Sequence, residues 1–514
     1  MNNQDIQATW HYHDGTKHPN GHLLDPRHFY DPTQRPLLFK VYSDLEPIPL
    51  PLDKSPLGVP ALAAISNNVP PAREERRPGL STLARILYFS AGITKHIQFP
   101  PPWGKLPFRA AACTGALYHI ELYLVCGDLP GLDAGVYHFD PRAMALRRLR
   151  QGDHRYILIE ASGRESDIAQ APAILVLTDV FWRNAFKYQA REYRHAFWDS
   201  GTILANTLAI TAAHRLFAKV VVGFMDETVS RLLDLDPMRE LALALVPIGS
   251  APNAPISPTP PIGPLDLETL SISDHEIDYP AIRAMHEASS LADANAVVAW
   301  RSAAPHTVQP DPPAGQLVPL RPLTNAELPS DPLESVIVRR GSTRRFAREA
   351  ITFRQLSTTL HRALQGIPAD FLEPPGTTLN NVYLIANAVD GLAPGAYVFR
   401  RDDQALERLK AGDFRTIAGH LGLNQDLAAD ASVDVFFLTD LQPILERFGN
   451  RGYRVAQLNA SIPAGRIYLA TYAQRFGATG LTFFDDAVTD FFSPHARGKS
   501  VMFLIALGKR AKRT

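Results

Sequence analysis

The chain has 514 residues, enough for two or three ordinary domains, and its 46% hydrophobic and 20% charged residues strike a globular balance. Lys plus Arg and Asp plus Glu stand equal at 52 each, which argues against a nucleic-acid or membrane partner, because either wants a basic excess. Two cysteines, Cys113 and Cys126, are too few for a disulfide scaffold and lack a second pair for a zinc site, so a reducing, cytoplasmic setting is expected.

The opening "MNNQDIQATWHYHDG" has no basic start followed by an apolar run, so no secretory signal is expected. Residues 1–70, with "DPTQRPLLFKVYSDLEPIPLP", predict an extended arm punctuated by proline. His11, His13, His18 and His22 fall in it and read as a flexible polar segment rather than a metal site. Residues 71–250 are mixed. "LSTLARILYFSAGI" has apolar residues at helical spacing, while "IELYLVCG", "GVYHFD" and "AILVLTD" read as strands. A helix is predicted over about 182–217, with Trp182 and Trp198 in the core; "KVVVGF" follows it. The run "TILANTLAITAAHRLFAKVVVGF" is interrupted by His214, Arg215 and Lys219, as in a buried helix and not a membrane span. "DETVSRLL" predicts a helix capped by Asp226, and "ALALVPIG" a buried strand.

Residues 251–333 contain fifteen of the chain's 43 prolines and predict a linker with one helix at "AIRAMHEASSLADANAVVAW". Over 334–514 the earlier order returns. "LSTTLHRALQGI", "VFFLTD", "GYRVAQLNA" and "MFLIALG" repeat the succession of helix, strand, helix and strand. The clearest echo is "GLDAGVYHFDPRAMALRRLRQGD" from residue 131 and "GLAPGAYVFRRDDQALERLKAGD" from 391, identical at eleven of twenty-three positions without a gap. Such a match marks an internal duplication with a spacing of 260 residues. The fold class expected is α+β: two tandem domains, each a helix-covered sheet, at 71–250 and 334–514.

Function is best read where the copies differ. The second carries "VRRGSTRRF", in which Arg340, Ser342 and Arg344 alternate and share one face of an extended backbone. Two guanidiniums flanking a hydroxyl suit a phosphate monoester, although a solvated basic run before a helix would look alike. The first copy has "ISNNVPP" at the matching distance from its helix. It carries instead the small-residue loop "FRAAACTGALY", with Arg109, Cys113, Thr114 and Gly115, against "FLEPPGTTLNN" in the second. Such a loop either lets backbone N–H groups approach a flat ligand or is an ordinary tight turn. Lys187 and Tyr188 align with Arg447 and Phe448; a lysine beside a phenol can lower its pKa toward that of a usable base, although such dipeptides also arise by chance in a chain this long.

Together these stretches resemble the SagB/ThcOx-type dehydrogenases of the nitroreductase superfamily. "YHDGTKH", "LARILYFSAGIT", "KYQAREYRHAFWDSG", "VVVGFMD", "RRGSTRRF", "GATGLTFFDD" and "FFSPHARGKSVMFLIALG" carry the likeness over nearly the whole chain. The resemblance implies an FMN-dependent oxidoreductase built as an internal pseudo-dimer, with flavin between the two copies. It implies that Arg340, Ser342 and Arg344 hold the phosphate, with Lys509 and Arg510 nearby, and that Arg109, Cys113, Thr114 and Gly115 border the ring. Lys187 and Tyr188 match the Lys-Tyr motif of the azoline oxidases, where the resemblance implies that it assists proton removal, and Cys113 stands where the family has serine. One flavin per chain is expected, since the other site would pair "ISNNVPP" with "FLEPPGTTLNN".

The chemistry implied is two-electron dehydrogenation of a small molecule or modified peptide. Oxygen or transient NAD(P)H would be the redox partner. No G-x-G-x-x-G follows a strand, so a Rossmann NAD domain is not expected. The alternatives are an NAD(P)H-fed nitro or quinone reductase, which needs neither Lys187 nor Tyr188, and an inactive scaffold in a biosynthetic complex. Further homodimerisation is left open.

Overall fold

The run "IELYLVC" can be apolar at every position because both of its faces are covered. Ile120–Cys126 is buried throughout and lies between Gly135–Asp140 and Ala173–Val180, antiparallel to both. In the computed structural model, which describes residues 3–66, 76–101, 104–251, 262–303, 312–373 and 376–512, this strand is central to a six-stranded sheet. From one edge the order is Pro47–Pro49, Ala145–Gln151, Gly135–Asp140, Ile120–Cys126, Ala173–Val180 and Glu240–Ile248. The second sheet repeats it as Gln316–Pro319, Ala405–Ala411, Gly395–Arg400, Asn381–Ala386, Val433–Thr439 and Ser500–Gly508, then adds Gly477–Leu481. The chain is thus two α+β units in tandem, with equivalent strand order.

Each sheet draws its outermost strand from the Pro-punctuated segment before it. Pro47–Pro49 pairs with Ala145–Arg147, and Gln316–Pro319 with Ala405–Arg408. Proline removes a ladder donor and is tolerated where one side of the strand faces no partner.

Several expectations need correction. The arm is not wholly extended: Gln7–Gly15 is a helix that buries Tyr12 and His13 against the second copy. Among its described residues the region 251–333 holds two helices, Pro280–Ala288 and Ala294–Arg301, separated where the Asp293 carboxylate caps the second by accepting from Ala296 N–H at 2.8 Å. The helix expected over 182–217 is two, Trp182–Tyr188 and Glu192–Ala213, broken at Gln189 with φ +53°. "KVVVGF" makes only isolated bridges among the described residues, Val220 to Ala369 and Val221 to Leu245. Asp226 is the first residue of the helix Asp226–Leu233 and not its cap; its carboxylate faces the other copy. Trp182, Trp198 and Cys126 are buried as expected.

The copies meet along the helices Glu192–Ala213 and Arg451–Ala473. A Cβ on Gly201 would lie 1.9 Å from Ser461 Oγ, and one on Gly465 would lie 2.6 Å from Ala205 Cβ. Ser461 and Gly465 stand 260 residues after Gly201 and Ala205, so the same two positions form the crossing on each helix. Two ion clusters flank it. Asp485 meets Arg191 at 3.0 Å and Arg194 at 2.7 Å, while Asp226 meets Arg451 at 2.7 Å and Arg454 at 2.6 Å. Arg451 and Arg454 are the 260-residue repeats of Arg191 and Arg194, so each copy lends two arginines to the other's aspartate.

Candidate functional site between the two copies

The break at Gln189 leaves Lys187 and Tyr188 at the end of a short helix, turned toward the interface. They line a cavity of about 350 Å³ together with Cys113, Thr114 and Gly115 of the first copy and Ser342, Arg344 and Gly480 of the second. A larger chamber of about 930 Å³ adjoins it and shares Ala112, Cys113, Ser342 and Arg344 with it. Residues from both copies therefore face one composite space. The segments "ISNNVPP" and "FLEPPGTTLNN", expected to form the other site, lie partly outside the described residues.

The small-residue loop is pinned by the central helix. Asp199 accepts from Thr114 N–H at 2.8 Å, from the Thr114 hydroxyl at 2.9 Å and from the Cys113 thiol at 3.0 Å. Three residues along, the Thr202 hydroxyl donates to Ala112 O at 2.6 Å. Gly115 has φ +62°, and a Cβ there would lie 3.2 Å from the Tyr188 hydroxyl, so both its backbone conformation and the space favour glycine. The Cys113 thiol also accepts from Tyr118 N–H at 3.0 Å; burial and Asp199 push its pKa up to about 11, making it an unreactive thiol that fixes the loop.

Behind Asp199 runs a buried polar chain that sequence reading missed. His119 Nε2 lies 2.8 Å from Asp199, and Nδ1 lies 2.7 Å from Asp179 and 3.2 Å from Glu192. Burial opposes charge on His119, but Asp179 and the hydrogen bonds to both aspartates overcome it and raise its pKa well above the usual value. Burial and the neighbouring Asp179 raise Glu192 as well. The donor atoms of His119, Asp179 and Glu192 lie within 4.8 Å of one another, close enough to share a cation; protons on His119 and Glu192 relieve the same crowding of charge. The duplication carries a signal for this chain. At 260 residues on, His119, Glu192 and Asp199 become Leu379, Gly452 and Asn459.

The proposed phosphate residues divide into two groups. Ser342 and Arg344 face the cavity: the Ser342 hydroxyl is 3.3 Å from the Tyr468 hydroxyl, and Arg344 is exposed. Arg340 is buried and donates to Ala110 O at 3.0 Å and Arg109 O at 3.1 Å, clamping the first copy's loop to the second. Arg109 borders the larger chamber, but its guanidinium donates to Leu38 O at 2.8 Å between the rings of Phe39 and Tyr118. Arg510 lines the larger chamber over Tyr472; Lys509 pairs with Glu349 at 3.5 Å and does not line either cavity.

The Lys187–Tyr188 pair is also electrostatically different from the expectation. Burial raises the Tyr188 pKa, with Asp199 and Cys113 adding to it. Lys187 Nζ lies between the rings of Tyr30 and Tyr188, 5.1 and 5.2 Å from their centroids, and burial, Arg344 and Arg35 lower its pKa. Burial thus moves the pair opposite to the expectation: the amine's pKa falls and the phenol's rises.

No family model matches the chain. Over 170 residues, 33% of this chain, it is 25% identical to a Methanocaldococcus jannaschii protein described as a nitroreductase, across 80% of that protein. Over 170 residues it is 30% identical to the microcin B17-processing protein McbC of Escherichia coli, of which the match spans only 59%. A crystal structure of an Anabaena variabilis protein described as a nitroreductase superposes with a TM-score of 0.75 at 24% identity, covering 98% of this chain and 99% of that one. The tandem arrangement is therefore found in a solved structure of the same fold.

Proposed function

We propose that this chain, a SagB-type member of the nitroreductase superfamily, is an FMN-dependent oxidoreductase with one composite site, acting as a dehydrogenase. The observation that carries this reading is that Lys187 and Tyr188 of one copy line the same cavity as Ser342 and Arg344 of the other. The residues suit FMN. Arg344 is a cation with no carboxylate partner among the described residues, and Ser342 beside it offers a hydroxyl; with Arg510 they would hold the phosphate. Thr114, Gly115 and Gly480 would border the ring with little side-chain bulk. Arg340 acts one step back, by clamping the loop, and Arg109 by tying down the arm at Leu38. Bound there, FMN supplies two-electron redox chemistry that no side chain can.

The chain's own part is proton transfer and orientation. Lys187, whose pKa burial lowers, takes the substrate proton, and Tyr188, whose pKa burial raises, stays a phenol that donates a hydrogen bond. This exchanges the roles the sequence suggests for the pair. McbC is a peptide-processing protein, so a modified peptide is one substrate class to test, alongside small molecules, with oxygen or NAD(P)H as redox partner. The fed nitro or quinone reductase is disfavoured because it has no use for Lys187 in the cavity.

The test is the visible spectrum of the purified protein with released flavin counted. One FMN per chain is expected, and Ser342→Ala with Arg344→Ala should abolish its retention. No FMN after reconstitution would overturn the reading in favour of a scaffold. In the loaded protein, anaerobic flavin bleaching by azoline-bearing peptides should slow by about 10²-fold or more in Lys187→Met, with FMN content unchanged.

A further inference from the structure

The larger chamber has a wall that only the first copy builds. The hairpin of Ile93–Gln98 with Lys105–Arg109 follows the helix Leu80–Ala91, whereas among the described residues no strand lies between the matching helix Phe353–Ala363 and Asn381–Ala386. It brings Ile97, Phe99 and Phe108 to the chamber beside Tyr118, with the two phenyl centroids 6.2 Å apart. Lys95, on the same hairpin, reaches across and donates to Arg340 O at 3.3 Å. One side of the chamber is thus aromatic and apolar.

The remainder is cationic out of proportion to the chain. Eight Lys and Arg side chains and no Asp or Glu line the chamber, although the charges of the whole sequence cancel. Arg109 and Arg340 are engaged by carbonyl oxygens and Arg339 by Asp331. Lys95, Arg344, Arg345, Arg510 and Lys512 have no carboxylate partner among the described residues. One cofactor phosphate, at about two negative charges, leaves an excess of positive charge in the chamber. Burial and Arg340 hold the Lys95 ammonium below its usual pKa, as expected of a cation without a counter-ion.

We infer that the chamber admits an organic anion, which lays a planar apolar group on Phe99, Phe108 and Tyr118 and its carboxylate or phosphate on Lys95 and the neighbouring cations. This names a ligand that binds beside the cavity of Lys187 and Tyr188, in a chamber those two residues do not line, and it rests on the oxidoreductase reading above. The test uses the FMN-loaded protein at low salt and follows the flavin absorbance during titration with 4-nitrobenzoate, phenyl phosphate and neutral 4-nitrobenzamide. The anions should bind about tenfold or more tightly than the amide, and the preference should shrink with added salt and in Lys95→Gln. A preference for only one of the two anions would fix the oxyanion as carboxylate or phosphate. Equal binding of all three probes by loaded protein would overturn the inference alone. Loss of FMN from Lys95→Gln would assign that lysine to the cofactor and likewise overturn it. Failure to load FMN at all would overturn the oxidoreductase reading, and the inference with it.

Discussion

Asp199 joins the loop beside the cavity to a buried histidine, and its counterpart Asn459 shows which half of that work needs the charge. Asn459 Oδ1 accepts from Leu379 N–H at 2.8 Å and from the Thr378 hydroxyl at 3.0 Å, much as Asp199 holds Thr114, yet it has no imidazole beside it. Asp199→Asn should therefore keep the loop in place while lowering the His119 pKa, read by histidine NMR titration; an unchanged pKa would assign the whole shift to Asp179. Because the His119 pKa is raised on folding, its stabilisation is complete below about pH 6.5 and is lost as pH rises through the folded value, so the variant should lose it at lower pH. Gln189 tests the neighbouring turn. Its φ of +53° with ψ −143° is a glycine conformation, Gly449 occupies the matching position, and two hydrogen bonds to the Asp25 backbone hold the glutamine there. Gln189→Ala keeps the strain and loses both bonds, so a loss of about 1–3 kcal/mol is expected in urea unfolding, with Gln189→Gly near neutral.

Among the elements, the crossing of the central helices is the most exposed to substitution. Gly465→Ala gains helix propensity but places its Cβ against Ala205 Cβ and Thr202 Cα, so a net destabilisation of about 1–3 kcal/mol should appear in thermal unfolding. The strands were legible because their apolar runs are short and bounded, and "AILVLTD" is buried on both faces. The helix Gln7–Gly15 was not, since "QATWHYHDG" has no apolar stripe and is held by polar contacts such as the Thr9 hydroxyl with Asn450 at 2.7 Å. The break at Gln189 escaped notice because no glycine or proline marks it. At the site, Arg340, Ser342, Arg344, Lys187 and Tyr188 could be read from differences between the copies. The inward turn of Arg340 and the opposite pKa directions of Lys187 and Tyr188 could not, because each depends on burial that only the folded chain sets.

At the scale of the whole molecule, the two ion clusters tie the copies together through buried charge. Their arginines hold Asp226 and Asp485 well below the usual carboxylate range despite burial. Both contribute stability that is present above the unfolded value, about pH 4, and lost as pH falls toward their folded values. Asp485→Asn should cost about 3–5 kcal/mol at neutral pH by leaving two buried guanidiniums poorly paired, and the gap to wild type should narrow as the solution is acidified. A gap independent of pH would mean the aspartate acts by shape alone. Joining the copies in one chain has a consequence of another kind. In a dimer of identical subunits every substitution appears twice, so neither interface can change without its twin. Here the residues at 119, 192 and 199 and their repeats at 379, 452 and 459 are separate letters of one sequence. Each interface is free to diverge from the other, and the clusters at 226 and 485 keep the pair folded as each goes its own way.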